Sequence, residues 1–229
     1  AFVADKGFKL LAADYSQIEL RVIACLAGDK NLIQAFAQEK DIHTLTAAKV
    51  FGVALKDVTS QMRRAAKVLN FGVIYGMSVY GFSEASGLER EKAKDFIKKY
   101  FDEFAGVARY VEKTKKEAAQ KGFVQTLFGR KRFIPEINSS VWSLKTAAER
   151  MAVNMPVQGA SADLLKMAMV KIADNLTQMA DGQNKSPKLL LQVHDELIFE
   201  VPDDQIKETA AIIKEAMENV HPLAVKLAV

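Results

Sequence analysis

Residues 189 to 201 read LLLQVHDELIFEV, two apolar runs on either side of the polar pair His194-Asp195. This pattern predicts an antiparallel hairpin with a two-residue tip, even though neither tip residue is glycine. Residues 8 to 14 (FKLLAAD) repeat the device, an apolar run closed by an acid, and predict a buried strand that delivers Asp14 to a sheet end. Between these stretches the pattern is helical almost throughout. Apolar residues at three- and four-residue spacing predict helices over 18–27, 31–39 and 42–51, with Asp41 as an N-cap and Gly28 and Gly52 as stops.

Residues 57–75 hold no proline, and their single Gly72 costs only about 1 kcal/mol against alanine, so one longer helix ending at Gly76 is expected. Residues 89–121 carry an apolar stripe on a charged background and predict amphipathic helix, broken around Ala105-Gly106. Residues 123–134 predict two short strands around Phe128-Gly129-Arg130, and Ser143 to about Met179 a helix kinked or divided at Pro156 and Gly159. A loop at 181–187, a helix at 203–219 and a last strand at 223–229 complete the chain. The order of elements predicts an α+β fold, a small antiparallel sheet shared by the two chain ends with a large helical insertion.

The 229 residues are 49% hydrophobic and 26% charged, enough to bury a core and enough to exclude disorder or a collagen-like chain. The net charge of +4 permits a nucleic-acid partner without demanding one. Cys25 is the only cysteine, which excludes an intrachain disulfide and an all-cysteine zinc site and points to a reducing compartment. No apolar run approaches the roughly 20 residues of a membrane helix, so no membrane partner is expected. Because the chain opens on Ala1-Phe2-Val3 and closes on an apolar run, it reads as a fragment cut at both ends.

Two constellations carry chemistry. Arg63, Lys67, Phe71 and Tyr75 stand four residues apart, so the first three share a helix face, and Tyr75 sits about 120° from Arg63. Two cations at one end and two aromatics toward the other suit a ligand with a polyphosphate and a flat base or sugar; an amphipathic helix with a solvated basic face has the same spacing. Asp14 and Asp195, each at the end of an apolar run, make an oxygen-rich site for Mg²⁺ if the fold brings them together, and otherwise are ordinary turn acids. A nucleophile elbow and a P-loop are absent, and the three histidines show no ligand spacing.

The string Asp14-Tyr15-Ser16-Gln17-Ile18-Glu19-Leu20-Arg21 resembles the first palm motif of family A DNA polymerases, the bacterial DNA polymerase I group. Arg63-Arg64-x-x-Lys67-x-x-x-Phe71-Gly72-x-x-Tyr75-Gly76 resembles that family's nucleotide-binding fingers helix, and Val193-His194-Asp195-Glu196 its last palm motif. The resemblance implies a palm over 1–25 and 141–229, with fingers over 26–140. It implies a template-directed DNA polymerase using two Mg²⁺ ions, with Asp14, Asp195 and the Tyr15 carbonyl as metal ligands and Glu196 as a third acid. Arg63, Lys67 and His43 then correspond to triphosphate contacts, Phe71 and Tyr75 to the pair packing on the incoming sugar and templating pocket, and Glu19 to the block against a 2′-hydroxyl. Gln17 falls among the substrate-binding positions, while Arg150, Asn154, Gln158 and His194 correspond to primer-template contacts.

The implied partners are primer-template DNA, deoxynucleoside triphosphates, and a thumb with a leading palm segment that family members carry before the point where this chain starts. The implied location is the cytoplasm, with the nucleoid. A phage-type RNA polymerase shares the palm and basic helix, but the resemblance gives Glu19 the space that a ribonucleotide would need. A noncatalytic nucleic-acid-binding remnant is disfavoured by the intact Asp14, Asp195, Arg63 and Lys67.

Overall fold

The computed structural model describes residues 3–178 and 186–229. In chain order the elements are β1 (Phe8–Asp14), α1 (Ile18–Ala27), α2 (Lys30–Ala37), α3 (Ile42–Phe51), a 3₁₀ turn at Leu55–Asp57, α4 (Ser60–Ile74) and α5 (Val79–Ser86). There follow α6 (Arg90–Glu103), α7 (Ala105–Lys121), β2 (Phe123–Gln125), β3 (Lys131–Phe133), a second 3₁₀ turn at Pro135–Asn138, α8 (Trp142–Gln178), β4 (Lys188–Val193), β5 (Glu196–Pro202) and α9 (Ile206–Glu218). The chain divides into two compact units, Ala1–Ile18 with Ser161–Val229, and Glu19–Ala160. Among the described residues no helix is long and apolar enough to cross a membrane.

The first unit holds the three-stranded antiparallel sheet, in the order β1-β5-β4. Its central strand β5 alternates, burying Leu197, Phe199 and Val201, and this alternation ties the register to the core. Helix α9 packs on β1 and β5 and buries Ile213, Ala216 and Met217. The Tyr15 hydroxyl, itself buried, donates to the Met217 carbonyl at 2.8 Å and satisfies an acceptor that the end of α9 leaves open.

Most of the second unit is helical, and several of its helix starts are set by side-chain caps. Asp41 caps α3, Thr59 caps α4 and Ser78 caps α5. Asp29 does more. Its Oδ1 accepts from the Leu32 N–H at 3.1 Å, while Oδ2 accepts from Gly106 at 2.8 Å and Val107 at 3.3 Å, so one buried carboxylate caps both α2 and α7. Gly106 has to lack a side chain, because a Cβ there would lie 2.7 Å from Asp29 Oδ2 and 2.8 Å from its Cα. The break expected near Ala105-Gly106 is present, and this clamp occupies it.

The α+β class, the hairpin at 188–202 and the paired strands β2 and β3 match expectation. Several details differ. Helix α4 starts at Ser60 rather than 57, because Thr59 caps it. Helix α5 was not expected; it starts at the Ser78 cap and stops at Gly87 in the left-handed conformation. Helix α8 runs through Pro156 undivided, and Gly159 serves close packing, since a Cβ there would lie 2.5 Å from Thr126 Cγ2.

Residues 223–229 form no strand: Ala228 accepts a single bond from Ser16 N–H at 2.8 Å, and Val229 N–H turns to the Glu218 carboxylate at 3.3 Å. Burial of Val225 and Leu227 explains the apolar pattern without a ladder, so only the N-terminal end of the chain joins the sheet. Most of the loop expected at 181–187 lies outside the described residues.

Asp29→Ala leaves three buried N–H groups without an acceptor and should lower unfolding free energy by about 3 kcal/mol or more. Urea denaturation checks this as a drop in midpoint with an unchanged slope.

Candidate active site

Antiparallel pairing sets Asp14, the last residue of β1, opposite Glu196, the first residue of β5. Asp195 sits in the tip between β4 and β5, and its carbonyl accepts from the Tyr15 N–H at 3.3 Å. Three acids are thereby gathered at one end of the sheet. Partial burial raises the Asp14 pKa above its ordinary 3.8, the charges of Asp195 and Glu196 raise it further, and a hydrogen bond from the Tyr15 N–H offsets part of the rise. Burial likewise raises the Tyr15 phenol.

His194 precedes Asp195 in the tip with φ of 53°, a left-handed position that histidine tolerates better than branched residues do. Its side chain is exposed, and Gln192 Nε2 donates to its carbonyl at 2.9 Å. Gln17 makes the turn from β1 into α1 with φ of 54°, and its buried Oε1 accepts no hydrogen bond among the described residues.

A divalent cation fits this donor set. Mg²⁺ takes one or two carboxylates and completes its octahedron with water and substrate phosphate. Among the described residues no three acidic, histidine or cysteine side chains form a ready cage by themselves. The carboxylates form an open half-site, and a phosphate-bound cation would relieve their mutual repulsion.

In the second unit, α4 presents Arg63 and Lys67 exposed and Phe71 and Tyr75 half-buried. Arg63 Nε donates to Asp41 Oδ2 at 2.6 Å. Burial alone would raise the Asp41 carboxyl, but hydrogen bonds from Arg63, Thr44 and the His43 N–H, with the charge of Arg63, bring it down to about 2. His43 is buried against Phe71, their ring centroids 5.8 Å apart. Burial lowers its pKa, Arg63 and Lys67 push the same way, and Asp41 opposes them. The Tyr75 hydroxyl donates to the Glu19 carboxylate, so these two residues, 56 apart in sequence, act as one unit.

The end of α4 is built with the same care. Gly76 is left-handed (φ of 63°), Met77 N–H reaches back to Gly72 O at 2.7 Å, and Gly76 N–H to Val73 O at 3.1 Å. The next carbonyl, of Ile74, faces the Asn154 side chain of α8, and with the amide turned so that its nitrogen meets the two carbonyls Asn154 donates to Ile74 O and to Arg150 O at 3.2 Å. A Cβ on Gly76 would lie 2.6 Å from Arg150 Cγ, so glycine lets the arginine stem cross the helix end. Gln158, one turn beyond Asn154 on α8, is exposed.

The sequence-predicted residues thus fall into local groups: Asp14, Asp195 and Glu196; Glu19 with Tyr75; His43 with Phe71; Arg150 and Asn154 with the end of α4. Sequence reasoning missed Asn70 and Thr46, which are buried beside His43. The available signal was an asparagine at an interior position of an otherwise apolar helix face.

A sequence model described as DNA polymerase family A matches residues 1–229. The chain is 52% identical to the thermostable DNA polymerase I of Thermus thermophilus over its whole length, and spans 27% of that protein. It is 48% identical to the DNA polymerase I of Pseudomonas aeruginosa, of which it spans 25%. Among solved structures it is similar to the POL domain of Pol1 from M. smegmatis in complex with DNA primer-template and dNTP, with a TM-score of 0.92, 39% identity, 99% of this chain covered and 40% of that one.

Because folding raises the Asp14 pKa, protonated Asp14 stabilises the folded protein at low pH. That contribution is complete below the ordinary 3.8 and is lost as pH rises through the higher folded value. Asp195→Asn removes one of the two repelling charges and should move the Asp14 titration down toward the ordinary range. Carbon-detected NMR titration of the Asp14 carboxyl checks the direction, and addition of Mg²⁺ should move it the same way.

Proposed function

The chain belongs to DNA polymerase family A, and from that premise we propose that it carries the nucleotidyl-transfer site of a template-directed DNA polymerase. One observation carries the reading: the pairing of β1 with β5 gathers Asp14, Asp195 and Glu196 into an open carboxylate site. In this reading residues 1–25 and 141–229 are palm and 26–140 fingers, which the interleaving of two compact units along the chain supports.

The reaction joins a primer 3′-oxygen to the α-phosphate of a deoxynucleoside triphosphate and releases pyrophosphate. Two Mg²⁺ ions held by Asp14, Asp195 and the Tyr15 carbonyl would supply acidity to the hydroxyl and neutralise the phosphates. Glu196 adds negative charge beside them. Arg63 and Lys67 bind the triphosphate through charge-assisted hydrogen bonds, and the Asp41 carboxylate holds the Arg63 guanidinium in place. His43 adds a hydrogen bond to the same phosphates.

Phe71 and Tyr75 pack on the sugar and the templating position. Glu19, held by the Tyr75 hydroxyl, occupies the space a 2′-hydroxyl would need and so selects deoxynucleotides. Gln17 belongs to the substrate-binding set, and its Oε1, which accepts no bond among the described residues, can take a hydrogen bond there. Arg150, Asn154, Gln158 and His194 contact primer and template. The chain spans 27% of the length of its Thermus thermophilus relative, and a thumb and a leading palm segment of the same enzyme would be its further partners. A polymerase that acts on chromosomal DNA would be found with the nucleoid in the cytoplasm.

Primer extension by a polymerase containing these residues tests the reading. It should proceed with Mg²⁺ and deoxynucleotides, fail with ribonucleotides, and be abolished by Asp14→Asn or Asp195→Asn while the melting temperature holds. Near-normal turnover in either variant would remove the carboxylate site from the chemistry.

A further inference from the structure

Behind the exposed cations of α4 lies a buried polar chain of which the nucleotide reading uses His43 but gives Thr46 and Asn70 no role. Thr46 and Asn70 are fully buried and His43 is 4% exposed. Thr46 Oγ1 donates to Asn70 Oδ1 at 3.0 Å, and Asn70 Nδ2 lies 2.9 Å from His43 Nδ1. With its oxygen taken by the threonine hydroxyl, the amide turns its nitrogen to the ring. An amide nitrogen donates and does not accept, so with the amide in this orientation Nδ1 is the bare nitrogen of the imidazole. The single proton of a neutral ring is then on Nε2.

We propose that Asn70 is a positioning residue: it holds His43 with the proton on Nε2, so that the ring offers one uncharged N–H to the phosphates of the nucleoside triphosphate. The inference rests on the assignment of His43 as a triphosphate contact. Its logic is electrostatic. Arg63 and Lys67 on α4 already bring positive charge, and Asp41, at the cap of α3, is paired with Arg63. A buried imidazolium beside those cations is costly, whereas a neutral donor adds a directed hydrogen bond at no charge penalty. Burial and both cations keep the ring neutral, against the pull of Asp41. Phe71, on the residue after Asn70, walls the ring on one side, with its plane tilted 47°. Asparagine thus fixes the proton, threonine fixes asparagine, and both lie where solvent cannot compete.

The chain has three histidines, so nitrogen-15 labelling of histidine gives a simple ring spectrum. Long-range proton–nitrogen correlation at neutral pH should show His43 protonated at Nε2 and bare at Nδ1. Asn70→Asp, whose carboxylate accepts instead of donating, should move the proton to Nδ1. In primer extension by a polymerase containing this chain, Asn70→Asp and Asn70→Leu should raise the deoxynucleotide KM about tenfold or more. The same variants should change kcat less and leave primer-template affinity in place.

A proton on Nδ1, or a charged ring, in the unmodified chain overturns the role of Asn70, and this result does not depend on any variant folding. The expected tautomer combined with an unchanged KM in a folded Asn70→Asp protein overturns donation to the nucleotide, and identifies the His43 assignment as the part that failed.

Discussion

The register of β1 against β5 is the constraint on which the carboxylate site depends. Asp14 and Asp195 are far apart in the chain, and neither is informative until Asp14 stands opposite Glu196. Side chains alternate across a strand, so a slip of one residue would turn Leu197, Phe199 and Val201 out of the core as well as move the acids. The apolar residues therefore hold the register, and the acids occupy the strand ends that result. Tyr15 secures the same corner from the other side, its ring buried and its hydroxyl spent on the end of α9.

Repulsion among the acids runs against stability, and a cation bound beside them would relieve it. Asp14 shows the cost as a raised pKa, first from partial burial and then from its neighbours. In the helical unit the opposite device recurs, with acids placed where N–H groups or a cation receive them. Asp29 holds two helix starts, and Asp41 holds a helix start and Arg63. Helix α4 consequently has fixed ends: Thr59 at the start, and Gly76 with Asn154 at the finish. A helix fixed at both ends holds the backbone positions of its cations and aromatics in place.

Local chemistry was the legible part of the sequence. Asp41 announced the start of α3, Gly52 its end, and the alternation around His194-Asp195 announced the hairpin. The three motif strings were enough to indicate the family. Features governed by contacts far along the chain were not legible. An apolar run at 223–229 looks like a strand whether or not a neighbour strand is present, and burial of Val225 and Leu227 satisfies the same pattern. Pro156 reads as a kink or a division, and α8 runs through it undivided. Helix α5 escaped because Gly76, Gly81 and Gly87 crowd its short segment, and the Ser78 cap is what defines it. The Thr46, Asn70 and His43 chain joins α3 to α4 across 24 and 27 residues, and no spacing rule within one helix reveals it.

The central claim is that Asp14 and Asp195 hold divalent ions together with nucleotide phosphate. Anomalous diffraction from crystals of a polymerase containing this chain, grown with primer-template and a deoxynucleotide and soaked in Mn²⁺, tests it most directly. Manganese peaks are expected within coordination distance of both carboxylates, bridged to the phosphates. Ordered nucleotide with manganese bound elsewhere, and none at Asp14 or Asp195, would contradict it.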